Sequence, residues 1–128
     1  MIGDLLAAIL GLIKKGAYKR ASEQLGKIYY DMLKEDATFF RAIPARELTN
    51  KLLKEHNYTN GHLEILAELF NTEAELELAQ GNKSDSQKYF EKSLMLFEFI
   101  DREQKIYSAE RQEKMNSICE KIQALRLV

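Results

Sequence analysis

"LLAAILGLIKKGAYKRASEQL", Leu5 to Leu25, is the stretch on which the fold turns. Its first nine positions hold eight apolar side chains, broken only by Gly11, and its second half is basic. Such a run is an export signal, a membrane anchor or a packed helix. An export signal carries its positive residues ahead of the apolar part, whereas here Asp4 precedes it and Lys14 and Lys15 follow. A bilayer span takes about 20 apolar residues, more than the run supplies. N-myristoylation needs glycine directly after the initiator Met, and the glycine here is Gly3. The run is therefore expected to belong to the fold, in a protein that works in the cytoplasm with no membrane partner.

The rest of the chain agrees. Its 128 residues fit one domain and can bury a core without staples. One Pro and six Gly leave few breakers among many Leu, Ala, Glu and Lys, which predicts an all-α protein. Cys119 is the only cysteine, so no internal disulfide can form. Beside Ile118 and Ile122 it reads as a small buried hydrophobe.

Helix one is expected from Asp4, as N-cap, to Lys15, stopped by Gly16. Helix two carries Tyr18, Ala21, Leu25, Ile28, Tyr29 and Met32 at spacings of three and four. Asp36 opens a short turn holding Phe39, Phe40 and Ile43, and Pro44 suits the first position of a helix with Leu48, Leu52 and Leu53. "HNYTNG", His56 to Gly61, is a loop with Asn60 as cap. Helix five then runs to Gln80 and stops at Gly81. "SDSQ" (Ser84 to Gln87) has capping-box spacing for helix six, which bears one stripe of Phe90, Leu94, Phe97 and Ile100 and another of Tyr89, Leu96 and Phe99. "DREQ" (Asp101 to Gln104) repeats the signal before a last helix with Met115, Ile118, Ile122 and Leu125. That helix can cover helix six or pair with a second chain.

The two glycine stops frame an internal repeat. Counted from Gly16 and Gly81, position +5 is Ala21 or Ser86, +9 is Leu25 or Phe90, and −7 is Ile9 or Ala74. Small residues at +5 let antiparallel helices approach, and a large one at +9 fills the next turn. "GAYKRASEQL" and "GNKSDSQKYFEKSL" in this way resemble the second helix of the tetratricopeptide repeat, and the whole chain resembles small bacterial proteins of unknown function that end in one such hairpin. The chain departs from the pattern: it has no Trp, no Pro closes either unit, and the glycines lie 65 residues apart. The resemblance implies a compact bundle of antiparallel helical hairpins, six to seven helices in one domain, 1–128. The hairpins are expected at about 4–35 and 61–101, the middle helices at 37–56, and a capping helix at 102–126.

Charge and motifs narrow the chemistry. A net charge of −1 gives no electrostatic reason for nucleic-acid binding. Five basic residues between Lys14 and Lys27 face only Glu23, while Glu64, Glu68, Glu73, Glu75 and Glu77 carry helix five. These are two solvated faces, or two helices that attract. There is no phosphate-binding glycine loop, zinc spacing or nucleophile elbow, and His56 and His62 read as surface residues. The expectation is a non-enzyme without cofactor or metal.

Helix five holds one irregularity. Around the helical circle, Ile65, Leu69, Leu76, Phe70, Leu63, Ala74, Ala67 and Leu78 form a broad arc, with Glu73 and Glu77 near its middle. The pair is exposed on a concave face, paired with a basic side chain of helix two, or lines a groove for a basic peptide. A di-metal site would need E-x-x-H pairs that are missing. Glu73 and Glu77 are the candidate partner-binding residues of an interaction module whose partner is a protein or peptide. Two other functions compete: a homodimer sealed through helix one or the last helix, and a small-ligand protein using Tyr18, Tyr29, Phe39 and Phe40.

Overall fold

The computed structural model describes residues 2–127; Met1 and Val128, the ends of the expected domain, lie outside the described residues. Seven helices follow in order: α1 (Ile2–Lys14), α2 (Tyr18–Leu33), α3 (Ala37–Ala42), α4 (Leu48–Asn50), α5 (Asn60–Ala79), α6 (Lys83–Gln104) and α7 (Ala109–Arg126). Around α4 the chain winds tighter and then wider, as a 3-10 turn (Ala45–Glu47) and a π turn (Lys51–Glu55). No strand occurs among the described residues, and the helices form a compact all-α bundle.

The hub is α5, which packs on α1, α2 and α6. Leu63, Leu66, Ala67, Leu69, Phe70, Ala74 and Leu76 are all buried along it. They leave no broad solvent stripe, which is how a helix packed on several sides should look.

The first and last long hairpins close with the same turn. Gly16 and Gly81 take φ values of 80° and 86°, the left-handed region that glycine enters at no steric cost. The amide of Ala17 donates to the Leu12 carbonyl at 2.9 Å, and that of Gly16 to Ile13 at 3.0 Å. Around Gly81, Asn82 donates to Glu77 at 2.8 Å and Gly81 to Leu78 at 3.0 Å. Both are Schellman motifs, which satisfy the last carbonyls of a helix while reversing the chain.

Beyond the second turn, α6 lies close on α5 because two fully buried serines face it. Ser86 Oγ donates to the Ala74 carbonyl at 2.7 Å and Ser93 Oγ to the Ala67 carbonyl at 2.6 Å. Seven residues separate the donors and seven the acceptors, so both bonds share one antiparallel register. On its other side α6 is covered by α7, as its two apolar stripes require. Lys114 and Lys121 of α7 also reach Glu68 and Glu75 of α5, at 2.6 and 2.5 Å. Two of the five acids of α5 are thus met by α7, whereas the basic residues of α2 form no ion pair among the described residues.

Several boundaries differ from the sequence reading. Asp4 sits inside the first turn of α1, one position after Gly3 and two after the helix begins. The cap of α5 is Thr59, not Asn60: its Oγ1 accepts from the His62 amide at 3.3 Å, and His62 Nδ1 accepts from the Thr59 amide at 3.0 Å. Helix α6 starts at Lys83, ahead of "SDSQ", because the Gly81 turn takes up so few residues. At its far end "DREQ" stays helical, and α7 begins after Ser108, whose Oγ accepts from the Arg111 amide at 3.2 Å. Asp101 and Gln104 instead accept from the buried guanidinium of Arg111, at 3.2 and 3.3 Å, and Ile106 offers its carbonyl at 3.2 Å. Cys119 is exposed: the buried stripe of α7 runs through Ile118 and Ile122, and residue 119 lies about 100° off it.

On α1, Leu6, Ile9 and Ile13 are buried against the bundle, while Leu5, Ala7 and Ala8 remain exposed.

Two substitutions probe the repeated turn. Gly16→Ala and Gly81→Ala should each cost about 1–2 kcal/mol in urea unfolding, since a Cβ is disfavoured at positive φ. Each has open space around the added atom, so strain alone accounts for the loss.

Candidate functional site

Where α2, α3, α5 and α6 meet, they leave a cavity of about 390 Å³. Tyr18, Lys19, Ser22 and Glu23 line it from α2, Arg41 from α3, Glu73, Leu76 and Glu77 from α5, and Tyr89 from α6, with Gln80 at the rim. The helical period explains the lining: residues 18, 19, 22 and 23 fall on one side of α2, and residues 73, 76, 77 and 80 on one side of α5. The cavity wall therefore follows from the packing of four helices.

Glu73 and Glu77, expected to act as a pair, have different surroundings. Glu73 is only 2% exposed. Both Arg41 Nε, at 2.9 Å, and Arg41 Nη2 donate to its Oε1. Glu77 is half-buried, and its Oε2 accepts from the neutral side-chain amide of Asn82 at 2.8 Å. The basic partner of Glu73 thus comes from α3 rather than α2. Nothing in the sequence flagged Arg41, which has no acidic neighbour closer than Asp36 and Glu47.

Burial lifts the Glu73 carboxyl above its ordinary range, and the Arg41 guanidinium draws it back only in part. For Arg41 burial works downward, but Glu73 outweighs it and the net direction is up. Beneath them lies Tyr29, fully buried, whose hydroxyl makes no hydrogen bond among the described residues. Burial first, then the neighbouring Glu73 carboxylate, raises its phenol well above 10.0. The Arg41 guanidinium stands 5.9 Å over the Tyr29 ring. Tyr89 is half-buried and its phenol is raised by burial and Glu73. Beside it, the Lys92 ammonium lies 5.5 Å from the Phe70 ring and 5.9 Å from Tyr89, donates to the Arg41 carbonyl at 3.1 Å, and is lowered by burial and Lys88.

The four aromatic residues of the small-ligand reading do not surround a common space. Tyr29 and Phe40 are both fully buried and stack at 5.8 Å, and Phe39 packs on Phe40 and on His56 at 5.0 Å each. Only Tyr18 lines the cavity, its hydroxyl donating to the Ala79 carbonyl at 3.3 Å. Tyr89 is the aromatic that the sequence hid, because its membership of the second stripe of α6 marked it as packing. His62 is occupied by the cap of α5, and among the described residues no group of three or more His, Cys, Asp or Glu side chains could hold a metal ion. No helix among them is long and apolar enough to cross a membrane.

Once Arg41 is paired with Glu73, the wall keeps Lys19 against Glu23 and Glu77, one negative charge in excess beside two tyrosines. Lys19 and Glu23 enter no ion pair among the described residues. That surface suits a cationic group, through carboxylates and aromatic faces together. Comparison with protein-family models, with curated proteins and with solved structures gives no match for this chain.

Arg41→Met should leave a buried carboxylate without its counter-charge. A loss of about 2 kcal/mol at pH 7 is expected, at the low end for a buried pair because the guanidinium reaches solvent. In that variant the folded Glu73 carboxyl lies further above its unfolded value. The penalty is therefore fully present above the folded pKa and fades as falling pH protonates the group. Urea unfolding across pH 4–8, with carboxyl NMR of Glu73, reads both effects; a penalty independent of pH would contradict the ion-pair assignment.

Proposed function

We propose that this protein is a cytoplasmic, non-enzymatic interaction module of tetratricopeptide type, whose cavity between α2, α3, α5 and α6 receives a basic side chain of a protein or peptide partner. The observation that carries the reading is the division of labour between the two glutamates of α5. Glu73 is neutralised internally by Arg41, whereas Glu77 has only an amide donor and shares the cavity wall with Glu23 and two tyrosines. A cation entering there meets carboxylates that lose little on partial desolvation, because the pocket remains open to water at its rim.

Two further features support the class. Helical hairpins that repeat one turn geometry are the units from which peptide-binding arrays are built, and such arrays bind along the surface formed by successive hairpins. The cavity also lacks the parts of a reaction centre: its carboxylates have no adjacent nucleophile–base pair, and its serine, Ser22, has no histidine beside it in the wall. The fold by itself says little about function, so the cavity chemistry is the stronger support.

A nine-residue peptide of alternating Lys and Ala, and its Glu counterpart, test the reading by amide NMR. The basic peptide should shift Tyr18, Glu23, Glu77 and Tyr89, and the acidic one should not. Glu23→Gln with Glu77→Gln should weaken binding roughly tenfold at low salt while leaving thermal unfolding unchanged. Equal, scattered shifts with both peptides would overturn it.

A further inference from the structure

Helix α1 carries an apolar surface that its own bundle leaves uncovered. Leu5 is 45% exposed, Ala7 and Ala8 are exposed, and Leu12 is half-buried. Leu5 and Ala8 with Ile28 of α2 form the apolar part of a cavity of about 310 Å³, edged by Gln24, Lys27 and Asp31. Single exposed apolar residues are ordinary on a protein surface, but here Leu5, Ala7 and Ala8 lie together on one stretch of α1, next to the buried Ile28 of α2.

We propose that this face pairs with α1 of a second copy of the chain, antiparallel, about a two-fold axis that crosses the helix between Ala8 and Gly11. The charges on α1 argue for that occupant. Asp4, Ala8 and Gly11 of α1 and Lys15, the first residue after it, are spaced four, three and four residues apart; because the Lys15 amide still donates to the Gly11 carbonyl at 3.2 Å, the four form a stripe beside Leu5 and Leu12. Asp4, Ala8 and Lys15 are exposed, and neither Asp4 nor Lys15 enters an ion pair among the described residues.

Reversed upon itself, the stripe is self-complementary. An antiparallel copy places Asp4 against Lys15 at both ends and Ala8 against Gly11 at the crossing. A two-fold interface demands this reciprocity, since each contact occurs twice with the roles exchanged. The small pair lets the two backbones approach, so that Leu5 and Leu12 of each copy reach the other helix.

Gly11 fits the same arrangement. Glycine weakens a helix interior, and nothing in the bundle requires it: a Cβ added there would meet nothing within 4 Å. The cavity that Glu77 and Tyr89 line shares no residue with this face of α1, so self-association and partner binding are separable by substitution.

Sedimentation velocity from micromolar to near-millimolar protein tests the proposal. The wild-type chain should show a concentration-dependent dimer. Asp4→Lys alone and Lys15→Asp alone should each weaken it roughly tenfold or more, by placing like charges together at both ends. An equimolar mixture of these two variants should restore association, as should the double variant. Gly11→Leu should abolish the dimer with helicity retained in circular dichroism. A chain that stays monomeric throughout, or a dimer indifferent to both charge reversals, or single variants that do not recover on mixing, would each overturn the proposal.

Discussion

The close approach of α6 to α5 is the constraint from which the rest of the architecture follows. Ser86 and Ser93 present no bulk, and their hydroxyls reach the carbonyls of Ala74 and Ala67, which are themselves small residues. Each bond contributes on the order of 1 kcal/mol, but their larger effect is to fix the sliding register of two long helices. With that register set, Phe70, Phe90 and Phe97 fall inside the bundle, and the flanks of α5 are left for α1 and α2. Helix α7 then has one place to go, along the open side of α6.

Electrostatics decorates this frame unevenly. The Lys114–Glu68 and Lys121–Glu75 pairs are partly exposed and add little stability each, yet they repeat the register of α7 against α5. The Arg41–Glu73 pair is different, because its carboxylate is buried and would be costly alone. It ties α3 to the hub and sets one wall of the cavity. Glu77, a turn further along α5, keeps its charge available at the surface, and Arg111 fastens the α6–α7 connection by holding Asp101, Gln104 and the Ile106 carbonyl.

How far the sequence foretold this depends on which signals were local. Gly16 and Gly81 marked both hairpin turns because a positive φ is a demand on one residue. The helical class was legible from periodicity, and so was the second neighbour of α6. Caps were read less well: "SDSQ" and "DREQ" have the right spacing, but Ser84 lies exposed inside α6, Ser86 serves packing and Asp101 serves Arg111, and spacing alone cannot distinguish these uses. Asn60 yielded to Thr59 because His62, an unusual third member of a capping box, accepts from it. The oddity of Glu73 and Glu77 was visible as charge within an apolar arc. Arg41 and Tyr89 were invisible, since pairing across 32 residues and between helices leaves no mark in either local pattern. The exposed apolar residues of α1 were legible as a surplus, and the bundle leaves that surplus open.

Native-state hydrogen exchange tests the central position of α5 most directly. Amides from Leu63 to Leu76, with those of α6 facing them, should exchange only through global unfolding, while α1 and α7 open at lower free energy. Protection of α1 or α7 equal to that of α5 would contradict a bundle organised around the α5–α6 hairpin.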